Sequence, residues 1–188
     1  MKGKLLVSGT RVLTRGREQT KQTWQAPVSS WVKINTDGAF SEDSGEAGIG
    51  VVIRNHLGHV ILSGWKYFAA AGSAEQVEAL ACREGIALAA EWFPSPAVVE
   101  SDCASVIKYL TWPDTQRSSS TFIILDALEE ADKLPQVQFH HVSREQNRVA
   151  HELAQMAKHL CHSAVWRERA PMCVEQIVAQ DVKTSTNL

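Results

Sequence analysis

The 188-residue chain contains no apolar run of about 18 residues, so no membrane-spanning helix is expected. Its first 30 residues lack the apolar core of a secretory signal. The four cysteines, Cys82, Cys103, Cys161 and Cys173, form no C-x-x-C pair and show no zinc spacing. Reduced thiols in an intracellular protein are therefore expected, in nucleus or cytoplasm. An Arg-rich, acid-poor beginning leaves organelle targeting open. There is no internal repeat and no low-complexity tract beyond Ser118–Ser120. The length suits one sizeable core with a tail.

Composition is that of an ordinary globular domain, 44% hydrophobic and 21% charged. The formal net charge of −2 hides an asymmetry. Residues 1–30 carry six Lys/Arg and one Glu, a net of +5, and the remaining residues carry a net of −7. A basic arm on an acidic body can touch phosphates or serve as a leader. The acidic body argues against strong non-specific binding to nucleic acid.

Residues 1–28 show no sustained period and read as a flexible leader or linker, residues 29–162 as the domain, and 163–188 as an extension whose last eight residues are disordered. Val32–Asp37 alternates like a half-buried strand. Gly48–Arg54 and His59–Phe68 read as a hairpin joined at "NHLG". Ser73 caps a helix that runs to about Trp92 and stops at Pro94 and Pro96. Ala97–Ser101 is a short buried strand, Asp102 opens a helix to about Leu110, and Ser119–Lys133 is another helix. Val137–Val142 is a final strand, and Gln146–Leu160 a final helix. The order β-β-β-α-β-α-α-β-α predicts a mixed sheet with helices on its faces.

Three acids stand where this pattern could gather them. Asp37 ends the first strand before a glycine, as a turn residue or as a carboxylate set for chemistry. Glu78 shares a 3.6-period stripe with Ala81, Cys82, Gly85 and Ala89, either at the stripe's solvent edge or on a packing face. Asp102 follows the apolar run 97–99, as an N-cap or as a ligand at a strand's carboxyl end, where open sheets bind ligands. If the two strands are parallel neighbours, Asp37 and Asp102 emerge on one rim, which Glu78 could reach from a helix crossing the sheet. Carboxylates gathered without a basic partner call for a divalent cation, Mg²⁺ or Mn²⁺.

"INTDGAF", "VEALACREG", "VESDCASVI" and "FHHVSREQNRVAHELA" resemble, in order and spacing, the ribonuclease H type 1 family. The similarity is to the plant ribonuclease H-like domains related to non-LTR retrotransposon reverse transcriptases, and it covers about residues 31–160. The resemblance implies an α/β ribonuclease H-like fold, a five-stranded mixed sheet with helices on both faces. It implies a two-metal endonuclease that cuts the RNA strand of an RNA–DNA hybrid, with Asp37, Glu78 and Asp102 as metal ligands. It places His141 as a proton-handling residue, against a plain strand-end histidine, and Asn147 in the family's N-x-x-x-D motif.

The fourth acid of that motif falls on His151, a nitrogen donor that suits Mn²⁺ better than Mg²⁺. Asn147 and His151 are spaced i, i+4, so His151 can still face the site. Where cellular enzymes grip the hybrid, this sequence has Ala74, Glu75 and Ala104, and it has no Trp/Lys-rich protrusion. The alternative expectation is accordingly a catalytically weakened or inactive module, retrotransposon-derived, that binds nucleic acid or a protein. A monomer with no membrane partner is expected.

Overall fold

The computed structural model describes residues 23–115 and 118–185. Strand β1, Val32–Phe40, begins with the alternation noted above, and each face finds a different cover. Ile34 joins the apolar cluster under helix α1, Ala74–Trp92. Thr36 Oγ1 meets Cys82 Sγ of that helix at 3.2 Å. Lys33, Asn35 and Asp37 point the other way, yet they are buried too. The strand is therefore covered on both sides rather than one. Distant segments cover its polar face, and each buried polar group there needs a partner.

Strands β2, Ala47–Arg54, and β3, Val60–Phe68, complete an antiparallel meander with β1. Strand β4, Ala97–Ser101, lies parallel to β1, and β5, Val137–His141, lies parallel to β4. A sixth strand, β6, Ala164–Arg167, pairs with β3, so the sheet has six strands in the order β5-β4-β1-β2-β3-β6, not the five expected. Helices α1, α2 (Ala104–Thr111) and α3 (Thr121–Ala131) pack on one face. Helix α4, Arg148–Leu160, and α5, Met172–Ser185, build a second cluster on the other, around Val52, Trp65 and Leu153.

Helix α1 is capped by Ser73, whose hydroxyl accepts the Gln76 amide proton at 3.2 Å. The small-residue stripe does let it sit low on the sheet, since a Cβ on Gly85 would stand 2.6 Å from Thr36 Cγ2. Two expectations at the ends change. Residues 23–28 are no loose linker, because Trp24 is fully buried against the sheet. Residues 181–185, expected to be disordered, close α5. The rest of the leader, residues 1–22, and residues 186–188 lie outside the described residues.

Candidate active site

Parallel pairing brings the first two acids together. Asn35 pairs with Glu100, so Asp37 and Asp102 lie two residues further along neighbouring strands; Asp37 does not end its strand, since β1 runs on to Phe40, whereas Asp102 follows the last residue of β4. Asp102 is not the N-cap of α2; Cys103 holds that position, and Asp102 stands one residue before it. Glu78 reaches the same edge from the first turns of α1. One carboxylate oxygen from each of Asp37, Glu78 and Asp102 lies within 4.8 Å of the others.

The cluster was expected to lack basic partners, but it has two. His151 Nδ1 lies 3.0 Å from Asp37 Oδ2. Arg144 Nε donates to Asp102 Oδ2 at 3.2 Å. Asn147, at the start of α4, donates from Nδ2 to the Thr36 carbonyl at 2.9 Å and lies 3.5 Å from Asp102 Oδ1. It therefore ties the edges of β1 and β4 together. His141 is exposed at the end of β5, and its Nε2 lies 3.2 Å from the Asp102 carbonyl oxygen. Arg144, three residues before Asn147 in "VSREQN", is a site residue that the sequence does not announce. Its spacing carries no signal, because its partner is 42 residues away.

Two pairs do not neutralise three acids. Burial, with the charges of Asp37 and Asp102 adding to it, pushes the Glu78 carboxyl up to about 9. Burial also raises Asp37, to about 6, against the lowering bond from His151. Burial acts on Asp102 in the same direction, but the neighbouring Asp37 carboxyl and the bond from Arg144 outweigh it and hold Asp102 below the usual carboxylate range. The bond to Asp37 raises His151. Asp37 Oδ1 and Glu78 Oε2 are buried without a hydrogen-bond partner among the described residues. Two orphaned carboxylate oxygens in a cluster with a third carboxylate form a hard-oxygen donor set, and a divalent cation fits it.

This crowding makes a pH prediction for the metal-free protein. Glu78 titrates near 4.5 when unfolded and near 9 when folded, so between those values the folded chain holds the extra proton. Its contribution to stability is complete below pH 4.5 and disappears as the pH rises to about 9. Asp37 acts with the same sign over a narrower window, from 3.8 to about 6. In a chelator, thermal stability should thus decline from pH 5 to 9. Glu78→Gln should flatten the upper half of that decline and be more stable at pH 8 by on the order of a few kcal/mol. Equal slopes for the two proteins would contradict the burial of this acid.

Residues 35–157 match the sequence model of a family described as reverse transcriptase-like. An Arabidopsis thaliana protein named "Putative ribonuclease H protein" is 27% identical over 174 residues, 93% of this chain. This chain spans only 28% of that protein's length. Among solved structures, the N-terminal RNase H domain of a Mycobacterium tuberculosis protein, fused to maltose-binding protein, superposes with a TM-score of 0.65 at 21% identity, over 70% of this chain and 96% of that one. RNase H1 from Halobacterium salinarum gives 0.62 at 23% identity, over 68% and 96%. LC11-RNase H1, solved in complex with an RNA/DNA hybrid, gives 0.62 at 20% identity, over 69% and 98%. At these identities the structural likeness establishes the fold, and the sequence match establishes membership. The chain belongs to the reverse transcriptase-like family and has the ribonuclease H fold.

Proposed function

We propose that this protein is a metal-dependent endonuclease that hydrolyses the RNA strand of RNA–DNA hybrids. The observation that carries the reading is the meeting of Asp37, Glu78 and Asp102 at one sheet edge, with two of their oxygens buried and unpartnered. The hybrid bound to LC11-RNase H1 supports the choice of substrate. Asp37, Glu78 and Asp102 would hold Mg²⁺ or Mn²⁺, two ions in this reading, and His151 would stand beside them. Bound there, the metal would supply an activated water and neutralise charge on the leaving oxygen.

The chain's own groups do the rest. Asp37 offers Oδ1 from the floor of the site while His151 fixes Oδ2. Asn147 and Arg144 orient the Asp102 carboxylate from two sides. His151 must be neutral to ligate a metal, so its bond to Asp37 and a metal bond through Nδ1 exclude each other. His141, exposed at the end of β5, would in this reading exchange protons with solvent or product. The test is cleavage of an end-labelled hybrid with Mg²⁺, with Mn²⁺ and with chelator. RNA cut only when a divalent ion is present supports the reading; cutting in chelator refutes the metal's role. His151→Asp should lower the metal concentration for half-maximal activity by about tenfold, because it adds an anionic ligand. An unchanged metal titration would remove His151 from the metal's surroundings.

One observation favours a second reading. Arg144 and His151 already neutralise part of the cluster, as they would in an inactive scaffold that binds nucleic acid or protein. Under that reading Mn²⁺ leaves the melting temperature unchanged, whereas a metal site is stabilised as the ion is added.

A further inference from the structure

Asn35 lies two residues before Asp37 on the same face of β1, and its amide is saturated. Oδ1 accepts from Trp24 Nε1 at 3.0 Å and from Arg54 Nη2 at 3.1 Å. Nδ2 donates to Glu100 Oε2 at 2.9 Å and to Asn147 Oδ1 at 3.3 Å. Two donors and two acceptors are the full capacity of this side chain. Arg54 is itself fully buried, stacked 3.6 Å over the Trp24 ring and paired at 2.8 Å with Asp181 of α5. An unbroken chain of polar contacts therefore runs from Asp181 through Arg54, Asn35 and Asn147 to Asp102. Trp24 and Asp181 both fall outside the 35–157 span that matches the family.

We propose that these flanking segments are positioning elements of the carboxylate site: Trp24 and Asp181 hold Arg54, and Trp24 and Arg54 lock the polarity of Asn35, which sets Asn147 against Asp102. The physical basis is that an amide has two ends of opposite polarity. With both donors on Oδ1 and the Glu100 carboxylate on Nδ2, Asn35 can turn only its NH₂ toward Asn147, so Asn147 must turn its oxygen to Asn35 and its NH₂ to Thr36 and Asp102. If the donors are weakened, Asn35 can flip at the cost of its bond to Glu100. Its oxygen then faces the Asn147 oxygen, and the cheapest relief is a second flip that points an oxygen at Asp102. A carboxylate oriented by an amide NH₂ thereby becomes one facing a second acceptor. Partners that orient a metal-ligating carboxylate govern its affinity for the ion.

The proposal rests on the nuclease reading for its kinetic consequence, but not for its structural one. The test uses the full chain with Trp24→Phe, which keeps the ring over Arg54 and removes one N–H, and Asp181→Asn, which removes the charge. Val174→Ala, at a buried apolar position on the same helix as Asp181, is the stability control. Three quantities are read: the side-chain amide resonances of Asn35 and Asn147 by ¹⁵N NMR, the dissociation constant for Mn²⁺ by calorimetry, and kcat and KM on the hybrid. Trp24→Phe and Asp181→Asn should shift both amide resonances, weaken Mn²⁺ binding by about tenfold and lower kcat with little change in KM. Val174→Ala should lower the melting temperature and move none of these.

Folded variants with wild-type Asn147 resonances and wild-type Mn²⁺ affinity would overturn the proposal. So would Val174→Ala producing the same changes, which would make the effect one of stability alone. If Asp181→Asn does not fold, Trp24→Phe decides the matter. Failure of the nuclease reading is distinguishable: it appears as an Asp37→Asn protein that cuts as well as wild type, whereas the NMR result needs no cleavage.

Discussion

Asp37→Asn should lower the rate of RNA cleavage in the hybrid by roughly a thousandfold or more, equivalent to about 4 kcal/mol of barrier, while the protein stays folded. The asparagine keeps the shape of the side chain and loses its charge. Asp37 is almost wholly buried at the floor of the site, with Oδ1 unpartnered and Oδ2 on His151. Its anionic oxygens are therefore committed to the site and to nothing else among the described residues. The metal-free protein should tolerate the change because it removes a carboxylate from a crowd of three. Circular dichroism and a melting curve separate this outcome from unfolding. A mutant that cuts the hybrid at the wild-type rate would remove Asp37 from the chemistry.

Gly50→Ala should destabilise the fold by at least about 3 kcal/mol, beyond what ordinary overpacking costs. Gly50 lies on β2 opposite Asp37 in the antiparallel register, on the face that α4 covers. A Cβ there would run into the Ala150 carbonyl, stand 2.5 Å from the Ala154 nitrogen and 2.8 Å from Leu153 Cβ. The first two are backbone atoms of one helix and cannot rotate away. The strain can be relieved only by lifting α4, which carries His151 and begins at Asn147. Stability and site geometry should thus fail together. Urea denaturation gives the loss of stability, and a wild-type midpoint would show that α4 is not seated as closely as described.

The elements that position the site were legible because their signals are local. Ser73, the small-residue stripe and Pro94 fixed α1 almost to the residue. The apolar run before Asp102 marked β4; the parallel placement of β1 beside β4 brings Asp37 and Asp102 together, and α1 adds Glu78. What remained hidden depends on contacts between residues far apart. The burial of Lys33, Asn35 and Asp37 comes from α4 and from the segment at Trp24, and no alternation within β1 can announce such a cover. Arg144 and His151 neutralise acids 42 and 114 residues away. Strand β6 has only four residues, and alternation that short is indistinguishable from loop. Asp102 looked like a cap because it precedes a helix by little; the turn through Ser101 and Cys103 moves the cap one residue on and frees the carboxylate for the site.

Anomalous diffraction from crystals grown with Mn²⁺ addresses the gathered carboxylates most directly. The prediction is a peak at coordination distance from oxygens of Asp37, Glu78 and Asp102. The unpartnered Asp37 Oδ1 and Glu78 Oε2 should be among its ligands. Saturating Mn²⁺ with no peak at this edge, and with His151 and Arg144 still bonded to Asp37 and Asp102, would contradict it.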